Sequence, residues 1–481
     1  MPQPPTPHRP SPARALAAAF AEVRRRDPGA LAILDSDRKR RLVRDDLARD
    51  AAIAGRLLDG FAPGTILAVQ VPNGAAFFAA ILACWERDLV PMPVDHDVAG
   101  PALDELCRAT GAVAVLHADA EDRLLVRAAA RDDSGTVAMP AGVALLKVTS
   151  GSTGEPRAVV VEADALLAGV AQIVSTMQLE PGDRNLVTIP LAHSYAFDNV
   201  VLTLVRDGMP AVLARDLTPR RLLSVAREAG ATVLPTVPFL IDVLARAKHA
   251  GALPSLRRVI SAGAPLPATA RERFAAAFGV RPRTFYGATE CGGIAFDRDG
   301  DGDLPDGCVG APLDGVRLVL EDADEDGIGR VRVSSPSVAA AYLPELASKA
   351  AEDVLRRGRF RTADLGRFDS RGRLQLVGRV HDVVNVGGRK VYPAEVERVI
   401  RAVPGVLDVV VTGVARSAVA DALRAVVAAE PQVTRAQIAA ACAQRLARYK
   451  VPRSIELVSE LPRTGRGKID RRALDARYVN D

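Results

Sequence analysis

Cysteine and histidine are scarce in this chain, and neither is arranged to form disulfides or to bind a metal. The 481 residues include 5 cysteines and 6 histidines, without CxxC or HxxxH spacing. An odd, scattered set of cysteines argues against a disulfide framework, and the missing spacings argue against a zinc site. The proline-rich start, Met1–Pro5, lacks the apolar core of a signal peptide. No apolar run approaches the roughly 18 residues of a membrane span. We therefore expect a soluble protein of the reducing cytoplasm, without a membrane span.

Charge is nearly balanced. The chain carries 63 lysines and arginines against 58 aspartates and glutamates, a net charge of +5. No Lys/Arg run is dense enough to indicate a nucleic-acid surface, so we expect no nucleic-acid partner. Hydrophobic residues make up 48% of the chain, which is typical of a globular protein. The length exceeds that of one ordinary core and predicts at least two domains.

The order of predicted elements indicates an α/β fold. Apolar strands alternate with amphipathic helices from Arg14 onwards, a pattern typical of parallel sheets covered by helices. Near Gly307 short strands and turns take over and indicate a small β-rich subdomain. We expect a disordered tail over residues 1–13, a large N-terminal domain over residues 14–380, and a small α+β C-terminal domain over residues 381–481.

A glycine- and hydroxyl-rich loop follows a predicted buried strand at Gly142–Val148. Glycines let backbone N–H groups turn towards an anion, hydroxyls add donors, and an arginine adds fixed charge. The loop lacks the Lys-Ser/Thr pair of the GxxxxGK[ST] nucleotide loop, and alone it fits a plain turn equally well. Its candidate phosphate-binding residues are Thr149, Ser150, Gly151, Ser152, Thr153, Gly154 and Arg157.

Further polar strings follow in order along the chain. Tyr286 could stack on a base, Thr289 could donate to a phosphate, and Glu290 could hold Mg²⁺. Asp364 suits a ribose diol, and Lys468 lies in a glycine-rich stretch near the C-terminus. Each string alone also fits a turn, a surface carboxylate or a solvated lysine. The strings are His193–Tyr195, Ser261–Leu266, Phe285–Glu290, Arg361–Asp364, Gly378–Asp382, Gly387–Lys390 and Pro462–Lys468.

Together these motifs resemble the adenylate-forming superfamily: acyl- and aryl-CoA synthetases, adenylation domains of nonribosomal peptide synthetases, and luciferases. The resemblance runs from about Leu146 to Leu474. Five family patterns occur in order, which makes coincidence improbable. They are TSG[ST]TGxPKG at Thr149–Ala158, YGxTE at Tyr286–Glu290, [YF]RTGD at Phe360–Asp364, GRxxDxxxxxG at Gly378–Gly388 and PxTxxGK at Pro462–Lys468.

The resemblance implies an adenylate-forming enzyme fold that uses ATP and Mg²⁺ to activate a small-molecule carboxylic acid, releases pyrophosphate, and passes the acyl group to a thiol. The Thr149–Arg157 loop would hold the β- and γ-phosphates, and Glu290 would bind Mg²⁺. Catalysis would further involve Thr289, on phosphate, and Lys468, between the substrate carboxylate and the α-phosphate. The remaining implied nucleotide contacts are Gly263, Ala264, Tyr286 and Gly287 at adenine, and Asp364 and Arg379 at ribose or phosphate.

The resemblance also implies a C-terminal domain that rotates between two poses. His381 occupies the hinge position, and Gly387 and Gly388 would approach the thiol tunnel. His193 matches a position that lines the acyl pocket and gates that tunnel. The other residues implied for the acid pocket are Tyr195, Phe197, Val237 and Gly292–Ile294.

Three departures from the family patterns leave alternatives open. In the phosphate loop, Arg157 replaces a lysine and Ala158 a glycine. Ala363 replaces the glycine before Asp364, and Ala196 stands where relatives often have glycine; none removes a reacting group. Our first hypothesis is an acyl- or aryl-CoA synthetase with CoA as co-substrate. The second is a stand-alone ligase that loads a separate carrier protein, since no carrier segment with a pantetheine serine is evident. The third is a degraded nucleotide-binding protein. A homodimer is possible.

Overall fold

The structure is a computed structural model that describes residues 12–130, 139, 142–149, 157–247, 252–300, 304, 305, 307–344, 353–386, 389–417, 420–462, 469, 473 and 474. The chain divides into two compact units. The first comprises Met1–Leu304, Val309–Leu318 and Arg332–Arg361. The second comprises Pro305–Cys308, Val319–Val331 and Thr362–Asp481. The predicted domain boundary near residue 380 stays a prediction.

Helices begin and end where the local sequence favours it. Proline stands at the first turn of several helices, where its missing N–H costs nothing, and glycine in the left-handed region follows others, as Gly279 does at φ 73°. The α-helices of the described residues are Pro12–Arg26, Arg44–Arg56, Ala75–Glu86, Gly100–Thr110, Ala163–Met177, Ser194–Ala196, Leu202–Asp207, Pro219–Glu228, Pro238–Ala245, Ala268–Phe278, Pro393–Arg401 and Arg435–Arg445. A π-helix spans Phe197–Val201, and 3₁₀ turns span Val380–Asp382 and Arg448–Lys450.

The strands are mostly short. In chain order they are β1 (Leu31–Asp35), β2 (Arg40–Val43), β3 (Ile66–Gln70), β4 (Val90–Pro93), β5 (Ala114–Ala118), β6 (Leu124–Ala128), β7 (Val143–Thr149), β8 (Arg157–Glu162), β9 (Asn185–Val187), β10 (Ala211–Leu213), β11 (Val233–Thr236), β12 (Arg258–Ser261), β13 (Arg283–Ala288), β14 (Gly292–Phe296), β15 (Cys308–Pro312), β16 (Arg317–Glu321), β17 (Gly329–Ser334), β18 (Ala341–Leu343), β19 (Leu355–Arg356), β20 (Arg359–Phe368), β21 (Leu374–Arg379), β22 (Val384–Val386), β23 (Arg389–Val391), β24 (Val406–Ser417), β25 (Ala420–Ala429) and β26 (Ser454–Val458).

A parallel sheet carries most of the predicted site strings of the first unit. Strands β1, β10, β9, β11, β12 and β13 lie side by side in this order, all parallel. Thr236 pairs with Ser261, and Ser261 pairs with Thr284, so three neighbouring strands reach the same edge together. Ligands usually sit at the carboxyl ends of such strands. The sheet therefore brings the segments after β11, β12 and β13 to one edge.

The first unit also contains two smaller sheets. Strands β4, β3, β5 and β6 form one, with β3 parallel to β4 and β5. Strands β18, β8 and β7 form the other, which is antiparallel. Thr149 pairs with Arg157, so the glycine-rich loop connects the two strands of a hairpin. We did not predict β8 from the sequence.

The core of the first unit is built around helix Ala75–Glu86, which is buried at every position up to Trp85. The Trp85 indole donates to the carbonyl of Ala144 in β7 at 2.8 Å, which ties this helix to the antiparallel sheet. The first helix begins at Pro12, and Ala13 is only 2% exposed. The predicted tail over residues 1–13 is therefore wrong for its last two residues, because Ala13 packs into the core; the preceding residues lie outside the described part.

The second unit contains a β20–β21 hairpin and an antiparallel β24–β25 pair with β26 parallel to β25. Helices Pro393–Arg401 and Arg435–Arg445 cover an apolar core that includes Val396, Ile400 and Ile438. The Thr434 hydroxyl accepts from the Gln437 backbone N–H, and the Gln437 side chain accepts from Thr434 in return, so a capping box starts the last helix. The sequence predicts one long helix over Arg435–Tyr449, but the helix ends at Arg445 and a 3₁₀ turn follows at Arg448–Lys450.

Candidate active site

The Glu290 carboxylate is held by a tyrosine from another sheet. Tyr342 Oη donates to Glu290 Oε1 at 2.9 Å. Burial raises the pKa of Tyr342, the Glu290 carboxylate adds to this rise, and the charge of Arg157 acts in the opposite direction. Tyr342 is paired with Val159, two residues beyond Arg157 in β8. The structure therefore brings Glu290, Tyr342 and Arg157 together at the base of the predicted phosphate loop.

Backbone hydrogen bonds fix the turn that carries Glu290. The Glu290 carbonyl accepts from the Ala339 N–H at 2.9 Å, and the Cys291 carbonyl accepts from Ser337 Oγ at 2.8 Å. Burial, with the nearby Glu290 carboxylate, raises the pKa of the Cys291 thiol well above its usual value. Cys291, which is 1% exposed, therefore stays protonated and acts in packing.

Thr289 lies beside a buried ion pair. Lys147 Nζ donates to Asp198 Oδ1 and Oδ2 at 2.7 and 2.8 Å. Lys147, Asp198, Thr289, Gly292 and Ser337 line a cavity of about 10 Å³, together with apolar residues of β8 and the following helix. The strand that enters the predicted phosphate loop and the predicted phosphate-binding threonine thus share one cavity wall.

His193 contacts a carboxylate at the end of β4. Its Nε2 lies 3.4 Å from Asp95 Oδ2, and the other oxygen, Oδ1, lies 3.4 Å from His96 Nδ1. The Asp95 side chain is 9% exposed and that of His193 is 33% exposed. Asp95, His96 and Asp97 also lie close enough to share a cation, but an exposed acidic group of this kind is common without one. The structure therefore gives His193 a buried acidic neighbour.

The segment predicted to hold adenine is open to solvent. Gly263 and Ala264 are exposed, and Tyr286 is half-buried. Gly263 has a φ of 85°, and an added Cβ would meet no atom within 4 Å, which leaves space for a flat ring. Gly287 differs, because an added Cβ would lie 2.6 Å from the Gly292 carbonyl oxygen. The close approach of β14 is therefore sufficient reason for a glycine at position 287.

Two aromatic residues implied for the acid pocket are used in packing. Phe197 is 1% exposed and meets Trp85 edge-on, with ring centroids 6.2 Å apart. Its proposed place in the pocket lining is not supported. The Tyr195 ring stacks on Phe285 with centroids 5.6 Å apart, and its hydroxyl donates to the Ile260 carbonyl at 2.8 Å. Burial raises the pKa of Tyr195.

In the second unit, the two residues predicted at the ribose pair with each other. Asp364 and Arg379 are direct partners in the β20–β21 hairpin, and Arg379 Nε lies 3.2 Å from Asp364 Oδ1. Thr362 Oγ1 accepts from the Asp364 N–H at 3.0 Å and donates to the Val331 carbonyl at 2.9 Å. Buried Thr362 thus fixes the backbone of Asp364. His381 is exposed in the 3₁₀ turn after β21.

Several predicted site residues lie outside the described part of the chain. They are Ser150, Gly151, Ser152, Thr153, Gly154, Gly387, Gly388 and Lys468.

Sequence reasoning missed three residues of this site: Tyr342, Asp95 and Lys147. Their partners are distant in sequence, as with the 52 positions between Glu290 and Tyr342, and no local pattern links them. Lys147 alone gave a signal, because a lysine inside an apolar strand is rarely buried unless it is paired.

Oxygen donors such as the Glu290 carboxylate and the Thr289 hydroxyl are the ligands that Mg²⁺ prefers. Glu290 and Thr289 therefore fit a metal-bound nucleotide.

Comparison with known families covers most of the chain. The AMP-binding enzyme family matches residues 20–343, and the AMP-binding enzyme C-terminal domain matches residues 395–468. A protein named feruloyl-CoA synthase from Amycolatopsis sp is 31% identical over 436 residues, which cover 85% of this chain and 88% of that protein. A protein named long-chain-fatty-acid–CoA ligase from Mycobacterium tuberculosis is 27% identical over 475 residues, 91% of this chain and 93% of that protein.

Solved structures show the same fold. ATP-bound MatB from Rhodopseudomonas palustris superposes with a TM-score of 0.84 at 24% identity, over 96% of this chain and 99% of that chain. The o-succinylbenzoate-CoA synthetase from Bacillus subtilis, bound to its acyl-adenylate, gives a TM-score of 0.81 at 21% identity, over 95% and 97% of the two chains. Among the described residues, no helix has the length and apolarity needed to span a membrane.

These comparisons confirm the α/β fold with a large N-terminal and a small C-terminal domain, the resemblance to adenylate-forming enzymes, and the prediction of an AMP-forming ligase of the acyl-CoA synthetase type. A family match over more than half of the chain, together with a relative above 30% identity, decides its membership. The chain belongs to the family of AMP-binding enzymes.

Proposed function

We propose that the protein activates a carboxylic acid with ATP to an acyl-adenylate, releases pyrophosphate, and then forms a thioester with CoA. One observation carries this proposal for the described residues. Glu290 is fixed by Tyr342 beside Arg157, at the hairpin that carries the predicted phosphate loop. A carboxylate for a metal ion and a cation for phosphate thus lie next to each other.

The chemistry needs two anions, the carboxylate and the α-phosphate, to approach each other. Bound Mg²⁺ would supply positive charge that offsets the growing negative charge. In this proposal Glu290 holds the metal ion, Thr289 donates to phosphate, and Arg157 adds a forked cation with several donors. Prepositioned donors of this kind are typically each worth about 10²–10³-fold in rate.

The neighbouring segments would hold the rest of the substrates. Gly263 and Ala264 would lie against one face of adenine, and Tyr286 against the other. His193, oriented by Asp95, would line the acid pocket. A carboxylate 3.4 Å from Nε2 favours one orientation of the His193 ring, so the acid would meet a defined ring edge.

The proposal extends to residues of the second unit and to residues outside the described part. Asp364 and Arg379 would contact the ribose and its phosphate, and Lys468 would approach the reacting carboxylate. By resemblance, His381 would serve as the hinge between adenylation and thioester formation, with Gly387 and Gly388 at the thiol tunnel. A homodimer and a cytoplasmic location also stay part of the proposal.

A screen over carboxylic acids tests the function. Aromatic acids are tested first, since the relative at 31% identity is named feruloyl-CoA synthase, followed by aliphatic acids and dicarboxylates. Pyrophosphate release is measured with CoA present and absent, and thioester formation is followed by mass spectrometry. We expect release with at least one acid, accelerated by CoA, and loss of release in Glu290→Gln.

The other outcomes separate the alternatives. Adenylate formation that CoA does not accelerate points to a separate carrier protein as the acceptor. Absence of pyrophosphate release with every acid contradicts the proposed function and favours the degraded nucleotide-binding protein. Size-exclusion chromatography with light scattering gives the oligomeric state.

A further inference from the structure

A buried lysine–aspartate pair lies behind the candidate site. The side chains of Lys147 and Asp198 are 7% and 8% exposed, and the ammonium is 2.7 and 2.8 Å from the two carboxylate oxygens. Such a pair is expensive to desolvate, and well-packed apolar residues of similar volume often stabilise a protein equally well. The pair is therefore not explained by folding alone.

The pair joins three segments that carry predicted site residues. Lys147 lies in β7, two residues before Thr149 and the predicted phosphate loop. Asp198 lies in the π-helix that follows His193 and Ser194, and Ser194 Oγ is 3.5 Å from Asp198 Oδ2. π-Helical turns are rare and occur frequently at functional sites.

The third segment is the turn after β13. An added Cβ on Gly292, whose φ is 68°, would lie 3.5 Å from Asp198 Oδ2. Thr289 and Gly292 line the same cavity of about 10 Å³ as the ion pair. This is close to the space that a single water needs. The three segments therefore meet at the pair with little room for adjustment.

We propose that Lys147 and Asp198 are positioning residues for adenylation, and that their charges hold the start of the phosphate loop against the Thr289–Gly292 turn. This rests on the proposed function, because the positioned groups are those that would bind the phosphates of ATP. A shift of about 1 Å in such groups costs on the order of 10²-fold in rate. Apolar replacements fill the same volume but form no directional bonds between the segments.

Four variants separate positioning from folding. Lys147→Met and Asp198→Leu each leave one buried charge without its partner, and the double variant removes both charges. Arg257→Met is the control, because Arg257 pairs with an equally buried carboxylate, Asp183, whose side chain is 2% exposed. Asp183 precedes β9 and Arg257 precedes β12, so this pair lies at the amino ends of the parallel strands, opposite the candidate site.

Melting temperature and pyrophosphate exchange are measured for each variant with an acid accepted by the wild type. We expect each single variant to melt about 5 °C lower and the double variant to melt closer to the wild type than either single variant. The kcat of the double variant in pyrophosphate exchange should nevertheless be about 10²-fold lower than that of the wild type. Arg257→Met should melt lower while its kcat stays near that of the wild type. A double variant with kcat within about threefold of the wild type overturns the proposal.

Two further measurements keep the result decisive. If the double variant does not fold, Lys147→Leu/Asp198→Ala, a smaller apolar pair that also forms no directional bonds, is held to the same kcat criterion. If the wild type exchanges with no acid, the proposed function fails, and nucleotide binding decides the positioning role. The wild type should then be stabilised more by ATP than by AMP, and the double variant equally by both. A double variant that keeps the wild-type difference overturns the proposal.

Discussion

Tyr342 Oη and Glu290 Oε1 are 2.9 Å apart, although Tyr342 lies in a strand and Glu290 in the turn after a strand of another sheet, 52 positions away in the chain. Tyr342 belongs to β18, which pairs with β8, and Glu290 follows β13. A hydrogen bond from a neutral donor to a carboxylate fixes the direction of that carboxylate. The direction of the carboxylate that would hold Mg²⁺ is therefore set by β18, the strand that pairs with β8, which begins at Arg157.

Tyr342→Phe removes this donor and keeps the ring. A hydrogen bond to a charged group contributes about 1.5–3 kcal/mol, so we expect the Mg²⁺ concentration for half-maximal activity to rise about tenfold. The measurement is the rate of pyrophosphate exchange against Mg²⁺ concentration. Tyr392→Phe is the control, since Tyr392 donates to Asp324 in the second unit at 3.1 Å. Equal Mg²⁺ dependence in both variants contradicts the role of Tyr342.

Gly263→Ala tests the adenine segment. At φ 85° a side chain is strained, but an added Cβ meets no protein atom within 4 Å. The strain costs about 1 kcal/mol, and the methyl group would occupy space for the ring. We expect a KM for ATP raised about tenfold, equivalent to about 1.4 kcal/mol.

Gly279→Ala controls for the strain in this experiment. Gly279 has a φ of 73° and equally open space around an added Cβ, but it ends helix Ala268–Phe278. Both variants should lose about the same stability in urea unfolding. Only Gly263→Ala should raise the KM for ATP. If both leave the KM for ATP unchanged, adenine does not lie against Gly263.

Apolar runs bounded by turns predict strands at Arg258–Ser261 and Ser454–Val458, and both strands have these bounds in the structure. The first hairpin, β1 and β2, and the following helix Arg44–Arg56 were not predicted. Their alternating arginines and aspartates hide the apolar face, which only Leu47, Ala51 and Ala54 supply. Local periodicity is weak where few large apolar residues define it.

The motifs indicated which residues could bind a nucleotide, but not what orients them. Tyr342 and Asp95 contact predicted site residues only through tertiary structure, and nothing in their own neighbourhood distinguishes them. Phe197 shows the opposite limit, because its position beside His193 suggested a pocket while its ring packs against Phe77 and Trp85. Side-chain direction on an irregular helix depends on the surrounding core, which a linear motif does not contain.

Asp95→Asn should weaken the binding of the acid substrate more than the binding of the nucleotide. The variant keeps the shape of the side chain and removes the charge that lies 3.4 Å from His193 Nε2. We expect the KM for the acid to rise about fivefold, since the loss of a charge interaction of about 1 kcal/mol has this effect, with the KM for ATP unchanged. Asp97→Asn is the control, because its side chain is 83% exposed. A larger effect on ATP than on the acid contradicts the placement of His193 in the acid pocket.

Cys84 makes the stability of the first unit depend on pH in the alkaline range. Burial raises the pKa of its thiol from 9.0 to about 12, against a small lowering by Arg87. Because the folded pKa is the higher one, this stabilising contribution is complete below pH 9 and is lost as pH rises towards 12. At pH 10.5 ionisation of the Cys84 thiol in the unfolded chain favours unfolding by about 2 kcal/mol.

Urea unfolding, followed by the fluorescence of the single tryptophan, Trp85, should show this loss of stability between pH 7.5 and 10.5. Cys84→Ala, less stable at both values because of its cavity, should lose about 2 kcal/mol less over the same interval; equal losses contradict a buried, protonated thiol.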